Sequence, residues 1–303
     1  MPDQAPIVRA CGWMTIFFCS IFICAELTNL IVLCSKKQLL KKNVVYLIIT
    51  VLGFLDCIQQ TIHLFSGIFC VTQWKPPLRI DMFLGSLLDF LYNLSILTNL
   101  VLSINRFYIF YEFNNWLKYT TKFIFSFFVS TFVLAIITFF ILHQFYYLRV
   151  VYSIELAYWD FVSTIENNYA HHYLENRIMT AINFASLFIF SLAMIKLFIT
   201  KCISTATKKS LQKYEYYIFM QAGLNFFGIF ATQVLWEFGV ALWPNYDYLY
   251  TVLNFIWVLT SGRDGCMNIF CLGEVRDTLL DSLKKKKHLD RRHTVIHMNR
   301  LNQ

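Results

Sequence analysis

Residues 123–142 read FIFSFFVSTFVLAIITFFIL, a run that holds no charged side chain and does not alternate between apolar and polar positions. A helix needs about 20 mostly apolar residues to cross the roughly 30 Å hydrocarbon core of a bilayer. The other structure that satisfies its own backbone in lipid is a closed β-barrel, which would show alternating segments of about 10 residues. The run therefore predicts a transmembrane helix.

Similar apolar runs recur along the whole chain. Of the 303 residues, 57% are apolar and only 15% are charged, whereas soluble domains carry about 25% charged residues. The sequence predicts an all-α membrane protein, a bundle of seven transmembrane helices. The predicted spans are about 11–34, 44–70, 81–110, 122–147, 177–199, 215–240 and 248–272.

The distribution of basic residues predicts the orientation. With the N-terminus outside, 20 of the 26 Lys and Arg residues fall in cytoplasmic segments and 5 in outer segments, as the positive-inside rule requires. The same asymmetry explains the net charge of +8 without nucleic acid as a partner. Residues 1–272 are then the seven-helix domain, and residues 273–303 are a cytoplasmic basic tail.

The tail begins with apolar residues at helical spacing, followed by Lys284–Lys287. This pattern predicts a short amphipathic helix after the seventh span, attracted to anionic lipid of the inner leaflet. Cys271 lies at the membrane edge and is a candidate for palmitoylation, with a buried thiol as the alternative. Cys11 and Cys70 lie at outer helix ends, where a disulfide bridge and two unpaired thiols are both open.

The predicted outer loop 147–177 is the longest connection and contains no cysteine. Packing alone must therefore hold it, and Tyr158 and Trp159 are the expected anchors because aromatic burial outweighs single charges. A loop of this length and mixed composition can cover an outer vestibule and contact a ligand. The adjacent pair His171 and His172 lacks further ligands at helical spacing, so we expect a solvated loop and no metal site.

Nothing in the sequence matches a catalytic constellation, so we expect neither an enzyme nor a cofactor. The informative residues are polar ones inside the spans, which tend to face the interior of a bundle. Each has a functional interpretation, as a ligand contact or a charge that favours one packing, and a structural one, as an interhelical hydrogen bond. The main set is Asn29, Asp56, Asp89, Asn93 and Asn99, and Glu26 and Glu237 are acids that could extend towards the interface.

Three segments in the first half resemble rhodopsin-like G-protein-coupled receptors. They are Asn29-Leu-Ile-Val32 on the first helix, Leu52-Gly-Phe-Leu-Asp56 on the second, and Asn105-Arg106-Phe107 at the end of the third. The triplet is similar to the acid-Arg-aromatic motif of that family, with Asn in place of the acid. The second half departs from the family, because the Cys-Trp-x-Pro and Asn-Pro-x-x-Tyr signatures do not occur.

The remaining features are similar to those of nematode serpentine chemoreceptors of the class-x-like group. These features are the Asn-Arg-Phe triplet, Glu215 with Gln221, and Asp264-Gly265 followed by Glu274-Val275-Arg276. The resemblance implies a chemoreceptor in the plasma membrane of sensory cells. Such a receptor transmits the binding of a small-molecule or peptide ligand to a heterotrimeric G protein.

The resemblance and the intramembrane polarity together give three sets of site residues. Residues Asn105, Arg106 and Phe107 are expected to couple to the G protein. The expected polar core of the bundle consists of Asn29, Asp56, Arg263 and Asp264. The ligand-pocket candidates are Asp89, Asn93, Tyr158, Trp159 and Glu237.

The alternative function is a multi-span transporter or channel. In that case Asp56, Asp89 and Asp264 would line a polar pathway. The two functions predict different interiors: a continuous water-filled route through both faces for a transporter, and a pocket closed below for a receptor.

Overall fold

The computed structural model describes residues 5–36, 40, 44–111, 126–127, 129–138, 150–161, 166–204, 213–243, 248–272 and 275–280. Its helices are α1 (Ala5–Ser35), α2 (Val44–Thr72), α3 (Leu78–Phe110), α4 (Val129–Thr138), α5 (Glu166–Ser204), α6 (Lys213–Leu242) and α7 (Leu249–Cys271). A short helical stretch follows at 275–280. Two strands, β1 (Val150–Ser153) and β2 (Tyr158–Phe161), form an antiparallel hairpin.

The helices carry their polar side chains inside the bundle and much of their apolar surface outside. Within the described part of the chain, four helical segments are long and apolar enough to cross a membrane. They are Pro6–Ser35, Val44–Thr72, Leu78–Ile109 and Asn176–Ile199. Large apolar side chains such as Phe188, Phe198 and Phe270 are exposed, as expected where the solvent is hydrocarbon. The count of seven spans and the orientation stay predictions.

The bundle has two ends, which we name after their contents. The hairpin end contains β1, β2 and an apolar cluster that includes Leu88 and Trp159. The Arg106 end contains a second apolar cluster that includes Leu33 and Phe226. Val275 of the helical stretch 275–280 belongs to this second cluster and is fully buried, so the short helix expected after the last long helix packs on the Arg106 end.

The hairpin corrects the expectation of an irregular loop over 147–177. Its register pairs Val150 with Phe161 and Ser153 with Tyr158, and Val150 and Tyr152 are the buried positions of β1. Helix α5 begins at Glu166 rather than at 177, so its first two to three turns lie within the predicted loop. The apolar run marks only the part of a helix that is suited to lipid, and a polar extension of the same helix carries no such signal.

Two glycines lie where the backbones of neighbouring elements approach each other closely. A Cβ atom on Gly265 of α7 would lie 2.7 Å from the backbone nitrogen of Glu26 on α1. A Cβ atom on Gly85 of α3 would lie 2.3 Å from the carbonyl oxygen of Val150 on β1. Neither position has room for a larger residue unless the backbone of the neighbouring element moves.

Candidate functional site

Buried polar side chains form a layer between the two apolar clusters. On α1, α2, α3 and α7, these residues lie in sequence between residues of the two clusters. We call this group the polar layer, and it consists of Glu26, Asn29, Asp56, Asn99, Asn225, Arg263 and Asp264. Apart from Arg263, each is at most 7% exposed.

Asn225 connects three helices within the polar layer. Its side-chain amide donates to Asp264 Oδ2 at 2.6 Å and lies 3.5 Å from Asn99 Oδ1. In return, Arg263 Nη2 donates to the backbone oxygen of Asn225 at 2.5 Å and to Asn225 Oδ1 at 2.8 Å. Arg263 Nε also lies 3.5 Å from Asp264 Oδ1. These contacts join α3, α6 and α7 at mid-bundle.

The acids of the polar layer are close to one another. Asn29 Nδ2 donates to Glu26 Oε2 at 3.3 Å, and Asp56 lies near enough to Glu26, Arg263 and Asp264 for electrostatic interaction. The structure therefore brings together the four residues expected in the polar core. The sequence left open whether Glu26 extends towards the interface, and the structure excludes this placement, because the side chain is fully buried. A single acid in an apolar run carries no signal that separates these two placements.

A second group lies between the polar layer and the hairpin, centred on Trp257. The indole of Trp257 contacts the rings of His63 at 5.2 Å, Tyr92 at 5.0 Å and Trp236 at 6.2 Å between centroids. Its Nε1 donates to Gln59 Oε1 at 3.3 Å. We call these five residues the Trp257 group, and they come from α2, α3, α6 and α7.

Gln59 joins the Trp257 group to the polar layer. Its amide nitrogen lies 3.4 Å from Asp56 Oδ1 and 3.2 Å from Ser95 Oγ, while its oxygen accepts from Trp257. No sequence pattern predicts the Trp257 group. An uncharged Gln or a Trp inside an apolar helix is common, and only the fold shows that these side chains converge.

His63 is the least satisfied member of the Trp257 group. Its side chain is fully buried, and within the described part of the chain neither ring nitrogen has a hydrogen-bond partner. A buried polar group without a partner costs roughly 1–3 kcal/mol. Such a position favours an additional polar contact from water or from a ligand.

The hairpin closes over this region through its aromatic residues and its turn. Trp159 is 2% exposed and packs on Tyr152 at 5.0 Å, and Tyr158 stacks on Tyr250 of α7 at 5.0 Å. The turn is held by α7, because Asn254 Nδ2 donates to the carbonyl oxygen of Ala157 at 3.2 Å. Tyr158 and Trp159 are thus anchors of the hairpin, as expected. Burial raises the pKa of Tyr158 to about 12, so its hydroxyl stays protonated at neutral pH.

The other predicted ligand-pocket residues lie at the same end but in different settings. Asp89 and Asn93 are half-buried on α3, next to the Trp257 group member Tyr92. Glu237 is paired with Arg177 Nε at 2.9 Å and contacts the amide of Asn176. This ion pair links α5 to α6, so the structural interpretation accounts for the burial of Glu237.

The three residues of the predicted coupling triplet differ in burial at the end of α3. Asn105 and Arg106 are 7% and 6% exposed and face the bundle. Arg106 lines a cavity of about 10 Å³ together with Asn225, Asp264 and Asn268, which is room for about one water molecule. Phe107 is half-buried, and its ring stacks on Tyr111 at 4.4 Å.

The structure describes the backbone but not the side chains of three predicted residues, Cys271, Glu215 and Gln221, so their roles stay predictions. Cys11 and Cys70 are both free thiols, and Cys70 Sγ lies 3.0 Å from the hydroxyl of Tyr152.

Comparisons with known proteins place the fold. No protein-family model matches the sequence, and a search of curated proteins finds no match. Among solved structures, the chain is similar to squid rhodopsin, with a TM-score of 0.71 and 12% sequence identity. The similarity covers 92% of this chain and 86% of that chain. A likeness at this identity shows the fold alone: the chain is an integral, multi-pass membrane protein with the helix-bundle fold of rhodopsin.

Proposed function

We propose that the chain is a chemosensory G-protein-coupled receptor. A ligand from outside the cell binds at the hairpin end, and a heterotrimeric G protein binds in the cytoplasm at the Arg106 end. The receptor fold and the resemblance of the Asn-Arg-Phe triplet support this proposal. It places the protein in the plasma membrane of sensory cells, in line with the resemblance to nematode chemoreceptors.

The observation that carries the proposal is a series of buried polar side chains between the two ends. Hydrogen bonds join Trp257 to Gln59 and Gln59 to Asp56. Asp264, which interacts electrostatically with Asp56, is bonded to Asn225, and both line the cavity with Arg106. A ligand shifts the packing of a bundle only by binding one arrangement better than another. A ligand that moves Trp257 would change the partners of Gln59 and so favour a different arrangement of the polar layer.

Arg106 is suited to the receiving end of this series. A guanidinium offers five hydrogen-bond donors in a planar fork, which fits the carbonyl oxygens at the end of an incoming helix. In the described conformation this side chain is buried beside Asp264 and Asn225. Coupling would therefore require the Arg106 end to open.

The transporter alternative is not favoured. Asp56 and Asp264 are 4% and 7% exposed, and the cavity that touches Asp264 has room for about one water molecule. Asp89 lies at the hairpin end, separated from these two acids by the Trp257 group. A water-filled route through the bundle would need the apolar cluster at each end to part.

Replacement of Arg106 tests the proposal. We expect Arg106→Ala to abolish ligand-evoked signalling while surface expression stays near the wild-type level. Lys keeps the charge but not the planar fork, so Arg106→Lys should signal poorly. The measurement is calcium imaging in cells that carry a promiscuous G protein, after a ligand has been found with the wild-type receptor, together with surface labelling.

Arg276→Ala is the matched control, because Arg276 is exposed at the same end of the bundle. It should signal like the wild type. Full signalling by Arg106→Ala at normal surface expression would contradict the receptor assignment of this residue and favour the transporter alternative. Normal signalling by Arg106→Lys would mean that charge alone suffices.

A further inference from the structure

A groove of about 330 Å³ lies outside the polar interior, between α3, α5 and Phe127, which precedes α4. It is at the Arg106 end of the bundle. Among the described residues its lining is apolar except for the hydroxyl of Tyr108, and these residues are Val101, Ile104, Phe107, Tyr108, Phe127, Ile189 and Leu192. Because these helices face the bilayer, hydrocarbon is the medium that meets the groove.

Among the described residues, Lys196 is the cation at the end of this groove. Lys196 is one turn beyond Leu192 on α5, and its Nζ lies 5.7 Å from the centroid of the Tyr111 ring. Tyr111 is in turn one turn beyond Phe107 on α3 and stacks on its ring. The ammonium group is therefore held where the apolar lining ends, towards the bilayer surface on the Arg106 side.

The dimensions of the groove match part of one lipid leaflet. Val101 to Tyr108 rises about 10 Å along α3, and the hydrocarbon of one leaflet is about 15 Å thick. An unfilled groove would forfeit dispersion contacts along its walls. An acyl chain restores these contacts, but it gains no hydrophobic driving force, because lipid tails are as apolar as the groove. Preference among lipids must therefore come from the headgroup.

We propose that this groove binds one phospholipid with an anionic headgroup. An acyl chain lies between Ile104 and Ile189, and the headgroup phosphate contacts Lys196. A single Lys near an anionic lipid surface corresponds to about a five-fold preference over a neutral one. This site is distinct from the basic tail, and the groove does not depend on the receptor function.

Native mass spectrometry of the purified full chain tests the proposal. The protein is released from micelles that contain equal amounts of phosphatidylserine and phosphatidylcholine with identical acyl chains. We expect the wild type to retain one phosphatidylserine, with about a five-fold preference over phosphatidylcholine. Lys196→Gln should reduce this preference towards equality. Ile189→Trp should fill the groove and abolish the single-lipid adduct of either headgroup.

Two control variants separate the groove from general effects. Arg276→Gln removes the same charge from an exposed residue at the same end, and Ile195→Trp adds the same bulk at an exposed position of α5. Both should retain phosphatidylserine like the wild type.

Two outcomes would overturn the proposal. One is an unchanged phosphatidylserine preference in Lys196→Gln, which replaces a half-buried Lys by a neutral side chain and should leave the fold intact. The other is a wild type that retains no lipid. The measurement requires neither an agonist nor a G protein. A failure here therefore leaves the receptor proposal untouched, and a failure of the Arg106 experiment leaves the lipid site untouched.

Discussion

Gln59 connects three helices through hydrogen bonds of its side-chain amide. Its side chain is 1% exposed and makes contacts with α3 and α7 as well as with its own helix. The amide uses its donor side on Asp56 and Ser95 and its acceptor on Trp257. A primary amide suits this position because it is a donor and an acceptor at once, whereas a carboxylate would place a further charge beside Asp56.

Replacement of Gln59 by Met should uncouple the two ends of the bundle. Met has a similar length and is tolerated in cores, but it leaves Trp257 Nε1 and one oxygen of Asp56 without the partner that Gln59 provides. We expect a loss of stability on the order of 2–3 kcal/mol and a large loss of ligand-evoked signalling. Thermal unfolding in detergent and the calcium response measure the two effects.

Thr50→Val is the matched control for this substitution. Thr50 is also buried on α2, but its hydroxyl donates to the carbonyl oxygen of Tyr46 in the same helix. Its removal should change both measurements little. Wild-type signalling by a stable Gln59→Met variant would show that the connection through Gln59 is structural only.

The hairpin is attached to the bundle by contacts that need no disulfide. Asp81 Oδ1 accepts from the backbone N–H of Tyr152 at 3.0 Å, and Cys70 Sγ contacts the hydroxyl of the same residue. Thr251 Oγ1 donates to the carbonyl oxygen of Leu156 at 2.5 Å. The ends of α2, α3 and α7 therefore hold the hairpin together, each through a different residue.

We expect the hairpin to be insensitive to reducing agent and sensitive to crowding at Gly85. Reducing agent and Cys11→Ser should leave ligand response and thermal unfolding unchanged, because Cys11 and Cys70 are free thiols. Gly85→Ala should displace β1, since the added Cβ would lie 2.3 Å from the Val150 carbonyl oxygen. Overpacking of this kind costs about 1–3 kcal/mol.

Gly239→Ala is the control for added bulk in a helix. The nearest atom to its new Cβ is 3.8 Å away, in ordinary contact, and Ala favours a helix over Gly by up to about 1 kcal/mol. This variant should be as stable as the wild type or more so.

The Cys11→Ser variant has its own contradicting outcome. A large loss of ligand response in this variant would indicate a disulfide bridge between Cys11 and Cys70.

Along the bundle, the molecule consists of an apolar cluster at each end and the polar layer between them. Apolar packing at each end is closed, while the polar layer between them contains Arg263 with the acids Glu26, Asp56 and Asp264. Polar groups inside a membrane bundle have few alternative partners. The ends can therefore rearrange by repacking, whereas the polar layer can change only by exchanging specific hydrogen bonds.

The sequence predicts the parts of this arrangement that follow from local composition. Apolar runs indicate the helices, and isolated polar residues such as Asp56 and Asp264 indicate the interior face. The Trp257 group and the hairpin could not be predicted. Four-residue strands show too little alternation, and the convergence of Gln59 and His63 with Trp257 depends on how α2 packs against α7. The polar extension of α5 before residue 177 could not be predicted from the apolar run either. The run indicates only the part of a helix that lies in lipid, and the helix itself begins earlier, at Glu166.

The orientation of the molecule in the membrane decides which end of the bundle can meet an extracellular ligand. Cytoplasmic segments carry 20 basic residues and outer segments 5 if the N-terminus is outside. Anionic lipid attracts such segments to the cytoplasmic leaflet, at about 1 kcal/mol per Lys or Arg near the surface. The Arg106 end, with Lys196 and the basic residues 284–287, should therefore be cytoplasmic, and the hairpin end should face outside.

Protease protection in intact cells measures this orientation. A tag after Gln303 should resist protease added outside and be cleaved only when the membrane is permeabilised. A tag before Met1 in the same cells is the control and should be cleaved without permeabilisation. Cleavage of the C-terminal tag from outside would show that the orientation is the opposite one. Arg106 would then face away from any G protein, and the hairpin could not meet an external ligand, so the receptor function would be excluded.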